Sequence, residues 1–432
     1  MLDLAGIGIG PFNLSIAALL NETNELEYRF FDNKAEFAWH PGLLLPEAHM
    51  QTCYLKDLVT AVVPTSRVGF LSYLVDKKRF YRFLSTDISM ISRTEFSNYM
   101  AWAASKIKNL NFNEGVRSIH YADDHFVITT EQDVYQAKNI CLGTGKKPHI
   151  PEEFKAQLGT KVFHACEIMD REFDFTNKRV AVIGGGQTGA DIVLNALHHY
   201  WGKPQELYWI SRRPNYQPLD EATFTNEFFT PQYTECFFEL PELSKKREVK
   251  AQKLASDGIT SECLKQIYHY LYQHFEVNGE RKWLHLLPNR TAQQLTPYND
   301  GYAVQCYNSL NQSEEILDAD YVILATGFES VLPHYLEPLK SLLHLSKDGS
   351  LQLDRHFNVQ WQHQADNQIY AVNAGLSSHG IAEPQLSLMA WRSAKIINHL
   401  TGKNVFDLSE TQNFIDWTLP ESTQPLTLTT AV

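Results

Sequence analysis

The sequence lacks several features that would each have settled a function class. No stretch approaches the roughly 20 apolar residues that span a bilayer. No basic segment leads into an apolar run and cleavage site at the N-terminus, so no signal peptide is expected and a cytoplasmic location is. Basic excess is also missing. A net charge of -12 offsets no phosphate repulsion, so nucleic acid is not an expected partner. A small cationic substrate stays open, because it needs only local charge. The six cysteines (Cys53, Cys141, Cys166, Cys236, Cys263, Cys306) contain no C-x-x-C pair. That spacing suits buried or idle thiols in a reducing compartment, not a disulfide framework or a zinc site, and no metal is expected. Low-complexity tracts and repeats of 20–50 residues are absent as well.

What is present has the makeup of a globular protein, and 432 residues predict two or three domains. The main organisational fact is a repetition. Met1 to Gly6 forms a short apolar run entering Gly6-Ile7-Gly8-Ile9-Gly10-Pro11-Phe12-Asn13. A helix follows to Leu20, then a strand over 26–31 that ends at Asp32. Strand, glycine turn, helix, strand, acid is the opening of a dinucleotide-binding fold. Gly8, Gly10 and Pro11 would bring backbone close to a pyrophosphate at the helix N-terminus, and Asp32 could accept from a ribose hydroxyl. Asn13 stands where the common fingerprint has glycine.

The second copy begins near Arg179 with strand Val180–Ile183. Its turn, Gly184-Gly185-Gly186-Gln187-Thr188-Gly189, is complete; a helix over 190–200 and a strand over 206–211 follow. That strand ends in Ser211-Arg212-Arg213 and not in an acid. An acid would repel a 2′-phosphate, whereas arginine binds one in fork geometry, which points to NADPH over NADH.

Between the copies, Ser92 and Glu95 read as a capping box opening a helix to Lys106. Segments 115–121 and 125–130 read as strands of a small sheet, and 226–275 as helical and tyrosine-rich. The Thr-rich last dozen residues read as frayed. Two further turns, Leu142-Gly143-Thr144-Gly145 and Leu324-Ala325-Thr326-Gly327, each end a strand. In flavoproteins with two dinucleotide sites such Thr-Gly turns mark crossings between the FAD and NADPH domains. The chain is therefore expected to leave the FAD domain near residue 150 and return near 325. Neither the C-x4-C pair of a disulfide reductase nor the F-x-G-x-x-x-H-x-x-x-W linker of a Baeyer–Villiger enzyme is present.

Several stretches resemble the microbial N-hydroxylating monooxygenases of siderophore biosynthesis. They are Gly8 to Leu14, Phe37-Ala38-Trp39-His40-Pro41-Gly42, His49-Met50-Gln51, Leu55-Lys56-Asp57-Leu58, Gly184 to Gly189, Thr326-Gly327 and His379 to Ser387. The likeness runs from Leu4 to about Leu408. It implies an α/β fold of two Rossmann-like dinucleotide-binding domains with a small helical substrate-binding insertion. The implied divisions are 1–158 and 322–432 for FAD, 159–225 and 271–321 for NADPH, and 226–270 for the helical segment. It also implies that NADPH reduces FAD, that O2 adds to give a C4a-hydroperoxyflavin, and that the substrate amine attacks its distal oxygen. The flavin carries the hard chemistry, so no catalytic acid–base pair is required of the protein.

By the same resemblance, Trp39, His40, Gln51, Thr326 and Gly327 join the first glycine turn on FAD. Gly184, Gly186, Gln187, Thr188, Gly189, Ser211, Arg212 and Arg213 serve NADPH. Lys56 and Asn226 would meet a substrate carboxylate, and Ser387 would lie near substrate and flavin. Asp257 is acidic where ornithine-type members have Asn, which points away from ornithine and could serve a second cationic group on a diamine. Phe328 replaces a usual Tyr. The expected substrate is lysine or a diamine such as putrescine or cadaverine, with histamine and ornithine as alternatives. A flavin monooxygenase acting on sulfur or carbon, or a non-catalytic flavoprotein, are the other readings. Relatives imply a homo-oligomer, tetramer or dimer.

Overall fold

The computed structural model describes residues 1–23, 25–364, 367–409 and 414–417, so the frayed end expected of the last dozen residues lies outside the described residues. Two sheets organise the chain. The first runs, in spatial order, Leu110–Asn111, Tyr28–Phe31, Leu2–Ile7, Val134–Leu142, His125–Thr130 and Val116–Ala122, with Ile369–Ala371 also paired to 134–142. Strand Val134–Leu142 serves two environments. Its first residues pair antiparallel with 125–130, while its last, Ile140, Cys141 and Leu142, lie parallel between Leu2–Ile7 and Ile369–Ala371. Its sequence shows the change: Val134–Lys138 is mostly exposed, whereas Ile140-Cys141-Leu142 is buried on both faces, as a central parallel strand must be.

The second sheet is wholly parallel: Leu284–Leu287, Glu206–Ile210, Arg179–Ile183, Tyr321–Leu324 and Val162–His164. Tyr321–Leu324 lies entirely in this sheet, and the Thr-Gly turn follows directly after Leu324. A three-stranded antiparallel sheet, 290–298, 301–308 and 313–319, packs beside it. The two crossings are joined in a short ribbon: Lys147–Pro148 pairs with Phe328–Glu329, and His149 N donates to Gly327 O at 2.9 Å.

The helical excursion opens as a 3-10 turn over Thr223–Phe229 and continues through helices Pro231–Glu239, Glu242–Ala251, Lys253–Ser256 and Ser261–Leu271. Its neck is tied by backbone: Leu219 N donates to Ile259 O (2.7 Å) and Ile259 N to Gln217 O (3.1 Å). The excursion thus starts at 219, and the tie at 259 precedes the helix that returns it to the second unit. Helix Ser261–Leu271 packs against helix Gln187–Leu197 of the second unit, with Cys263 and Ile267 in its core.

The cap read at Ser92 forms, its Oγ accepting from Glu95 N at 3.1 Å on helix Arg93–Ala104. The reciprocal arm does not, because Glu95 turns to Arg79 at 3.0 Å instead.

One buried charge pair ties the chain's end to its start. Arg392, on the last helix Met389–Thr401, is 2% exposed and meets Glu383 at 2.7 Å, with its guanidinium over Phe12 at 4.2 Å. Glu383 also accepts from Asn373 N (2.7 Å) and Gly375 N (2.9 Å). Removing one partner of such a pair leaves a bare buried charge and costs about 3–5 kcal/mol. Arg392→Met is therefore expected to lower the thermal unfolding midpoint of the protein by several degrees. An unchanged midpoint would show that Glu383 is satisfied by the backbone alone.

Candidate functional site

The two units and the excursion enclose a cavity of about 1440 Å³. Both glycine turns reach it by the same construction. Gly8 has φ +87, and a Cβ there would fall 2.7 Å from Gly143 O; at Gly184, φ +140, it would fall 2.1 Å from Ala325 O. Each turn is thus pressed against the strand end that carries a Thr-Gly crossing. This contact explains why the glycine turns and the Thr-Gly turns occur in pairs along the chain.

Of the residues proposed from sequence, Gly8, Gly10, Pro11, Asp32, Trp39, His40, Gln51, Lys56, Gln187, Thr188, Asn226 and Ser387 all line this cavity. Asp32 is buried, and its carboxylate accepts from Ile9 N (2.7 Å) and Lys34 N (2.9 Å), which fixes the first turn. A backbone cradle at a helix start, with open space and an acid at the next strand end, fits the donor set an FAD dinucleotide needs.

Asn13 is the first correction. It is fully buried, does not line the cavity, and its Nδ2 donates to Ile7 O (3.2 Å), Gly8 O (2.8 Å) and Cys141 O (3.4 Å). A Cβ on Gly143 would lie 2.4 Å from that nitrogen. The glycine needed for close packing sits on the crossing strand, and Asn13 is the clasp that fills the gap.

Asp257 is the second. It does not line the cavity; its carboxylate pairs with Arg213 at 2.8 Å, and its carbonyl accepts from the same guanidinium at 2.9 Å. Arg213 is thereby turned inward onto the excursion. Ser211 is buried beneath the turn, where a Cβ on Gly185 would fall 2.0 Å from its Oγ. Arg212 is exposed and has no side-chain partner among the described residues. Gly186 caps helix Gln187–Leu197, and Gly184 and Gly189 pack behind it. Thr326 and Gly327 stand behind the wall, Thr326 Oγ1 donating to His149 O, while Phe328 lines the cavity between the rings of His40 and His164, 5.3 Å from each.

The three parts meet at Gln187. Its Nε2 donates to Asp191 Oδ1 (2.7 Å), and its Oε1 accepts from Thr260 N (2.7 Å) and Gln51 Nε2 (3.2 Å). Gln51 also donates to Gly258 O at 3.3 Å.

The electrostatics are those of a dry, cation-bearing site. Burial lowers Lys56 below the ordinary lysine range, with Cys53 opposing, and Lys56 has no ion-pair partner among the described residues. Burial lifts Asp191 to about 7 against its bond to Gln187 and the charge of Arg93. Sequence reasoning missed Arg93 and Asp191. Arg93 lines the cavity, lies over Trp39 at 4.9 Å, and leaves its buried Nε without a hydrogen-bond partner among the described residues. As the residue after a helix cap it carried no signal of burial. Asp220 and Glu221, also in the lining, were passed over as loop acids.

The model of the family described as L-lysine 6-monooxygenase/L-ornithine 5-monooxygenase matches residues 1–330. The chain is 45% identical over 417 residues to the L-lysine N6-monooxygenase of Escherichia coli, covering 96% of this chain and 98% of that protein. The FAD-bound cadaverine monooxygenase of the desferrioxamine pathway of Erwinia amylovora superposes with a TM-score of 0.91 at 26% identity, over 98% of this chain and 99% of that one. The Kutzneria sp. 744 ornithine N-hydroxylase, solved with reduced FAD, NADP+ and L-ornithine, gives 0.86 at 28% identity over 93% and 99%.

His40, held at φ 46, supplies a pH test of the site. Burial, then the charges of Arg93 and Lys34, push its imidazole down to about 4. Each of these disfavours the protonated ring, so His40 stays neutral through the physiological range and charges only as pH falls toward 4. With histidine ring carbons labelled and the signal assigned by a His40→Asn variant, its chemical shift is expected to be flat from pH 8 to 5. A midpoint near the ordinary value of about 6.5 would show that the ring does not feel Arg93 and Lys34.

Proposed function

The chain belongs to the L-lysine 6-monooxygenase/L-ornithine 5-monooxygenase family, and on that premise we propose that its substrate is L-lysine. It is an FAD- and NADPH-dependent monooxygenase that N-hydroxylates the terminal primary amine of a small aliphatic amine, with O2 as co-substrate. The observation that carries the substrate assignment is Lys56: a desolvated cation lining the cavity with no carboxylate among the described residues to pair with. An amino acid brings that carboxylate; a diamine does not. Asn226, on the same lining, can donate to the carboxylate's second oxygen.

We assign the first glycine turn and Asp32 to FAD and the start of helix Gln187–Leu197 with Arg212 to NADPH, whose 2′-phosphate a free guanidinium suits. Bound there, the flavin supplies the redox and oxygen-activating chemistry. The chain's own residues have a narrower task. An alkyl ammonium, with a pKa near about 10.4 in water, has no lone pair to react with at pH 7. Apolar lining from Met50, Phe229 and Leu386, with the cation Lys56 nearby, disfavours a second positive charge and favours the neutral amine. Gln51, Asn226 and Ser387 position it, and the enclosed walls exclude water.

Cadaverine is the second reading, favoured by Asp220 and Glu221 on the cavity wall, which could take the distal ammonium of a diamine. Hydroxylamine formed per NADPH oxidised, measured on the FAD-loaded enzyme with lysine, ornithine, putrescine, cadaverine and histamine, separates the two. Lysine is expected to give a ratio near one, and Lys56→Met to raise its KM by about 100-fold, as loss of a charged contact worth about 3 kcal/mol would. Coupled turnover of cadaverine alone, indifferent to Lys56→Met, would replace lysine with the diamine. Peroxide with every amine would sink both.

A further inference from the structure

Beside the main cavity lies a second one of about 580 Å³, within the roughly 300–1,000 Å³ usual for small-molecule sites. It is built from the helical excursion and its neck, and Leu219, Asp220, Glu221 and Ala255 face both cavities, so a single thin wall divides them. All of its ionisable lining is anionic: Asp220, Glu221 and Glu248. Arg247 pairs with Glu248 at 3.0 Å but lies outside the lining. Asp220 accepts from Ala222 N at 3.1 Å, and Glu221 has no side-chain partner among the described residues.

An independent observation says what these carboxylates await. Gln252 lines the same cavity at 5% exposure. Its Nε2 donates to Tyr233 Oη and Glu248, while its Oε1 is buried without a hydrogen-bond partner among the described residues. A buried carbonyl that lacks a donor needs an N–H or O–H brought by something else. Two carboxylates without a cation partner among the described residues, Asp220 and Glu221, and one carbonyl without a donor are complemented by a group with a positive charge, several donors and no acceptor. An alkyl ammonium is that group. A neutral alcohol could satisfy the carbonyl but would leave the charge unanswered.

We propose that this second cavity binds the ammonium end of an aliphatic primary amine and stages the cationic substrate beside the catalytic cavity. The two environments divide the work. The outer one stabilises the charged form in which the amine exists in solution, and the inner one, with Lys56 and apolar walls, favours the neutral form that reacts. Asp220 and Glu221, shared between them, give the ammonium a path along carboxylates. This inference rests on the reading that the substrate is a primary amine.

Equilibrium titration calorimetry of the FAD-loaded enzyme tests it without turnover, using n-pentylamine, 1-pentanol and L-lysine. The amine and lysine are each expected to bind at two sites per chain, and pentanol to be excluded from the second. Glu248→Gln, whose residue lines only the second cavity, should weaken one of the two events about tenfold and leave the other and the flavin spectrum unchanged. Should that variant fold poorly, Gln252→Leu, whose residue also lines only the second cavity, reads the same loss. One binding event per chain, or two that ignore both substitutions, would overturn the proposal. Amine binding that lysine cannot match would remove its staging role. Because binding is read directly, a Glu248-dependent event would stand even if no amine were hydroxylated, so this inference and the substrate assignment fail separately.

Discussion

The amide of Gln187 is the interaction on which the arrangement of the site depends. Asp191, buried one helical turn further on, accepts from its nitrogen and so leaves its oxygen pointing the other way. That oxygen takes Thr260 N from the excursion and Gln51 from the first unit. A side-chain amide has one donor end and one acceptor end, and here each is committed in a different direction. A carboxylate at position 187 would put like charges together at Asp191, and an apolar residue would leave Thr260 N and Gln51 without their acceptor. One residue at the start of a helix thus sets the distance between the flavin side, the nucleotide side and the amine side.

Around that junction the cavity is tuned by desolvation more than by ion pairing. His40 is driven to its neutral form, Lys56 is held below its ordinary range, and Arg93 lies half-buried over an aromatic face with its Nε unbonded among the described residues. Cations kept short of partners are costly to the fold, and such a cost is carried where a ligand will supply the missing groups. Carboxylate, phosphate and flavin carbonyl oxygens are the ligand atoms that complement such groups. The fold meets the cost elsewhere, in features such as the buried Arg392–Glu383 contact that anchors the last helix.

Much of this was legible in the sequence because it rests on local backbone requirements. Glycine turns, the cap at Ser92 and the acid at Asp32 are each specified within a few residues, and the pairing of glycine turns with Thr-Gly crossings gave the order of the two sheets. The WHPG and LKDL stretches pointed to the cavity as resemblance and not as pattern. What was not legible depends on contacts between distant segments. Asn13 looked like a flawed fingerprint until Gly143, on another strand, was seen to supply the missing space. Asp257 looked like a pocket acid because nothing in its neighbourhood revealed Arg213, 44 positions earlier in the chain. Half-buried Arg93 and buried Asp191 carried no local signal that sets them apart from ordinary helix charges. The neck of the excursion is defined by pairing across 217–219 and 259, which no local signal marks.

The account stands or falls on whether that junction keeps reduction and amine oxidation together. The most direct measurement is the fraction of oxidised NADPH recovered as hydroxylamine, with peroxide counted in parallel, for the FAD-loaded Gln187→Leu variant on lysine. The account predicts that NADPH is still oxidised but that product recovery falls to less than half, with peroxide making up the difference. Undiminished recovery, with the variant folded and loaded with flavin, would contradict it and reduce Gln187 to a packing residue.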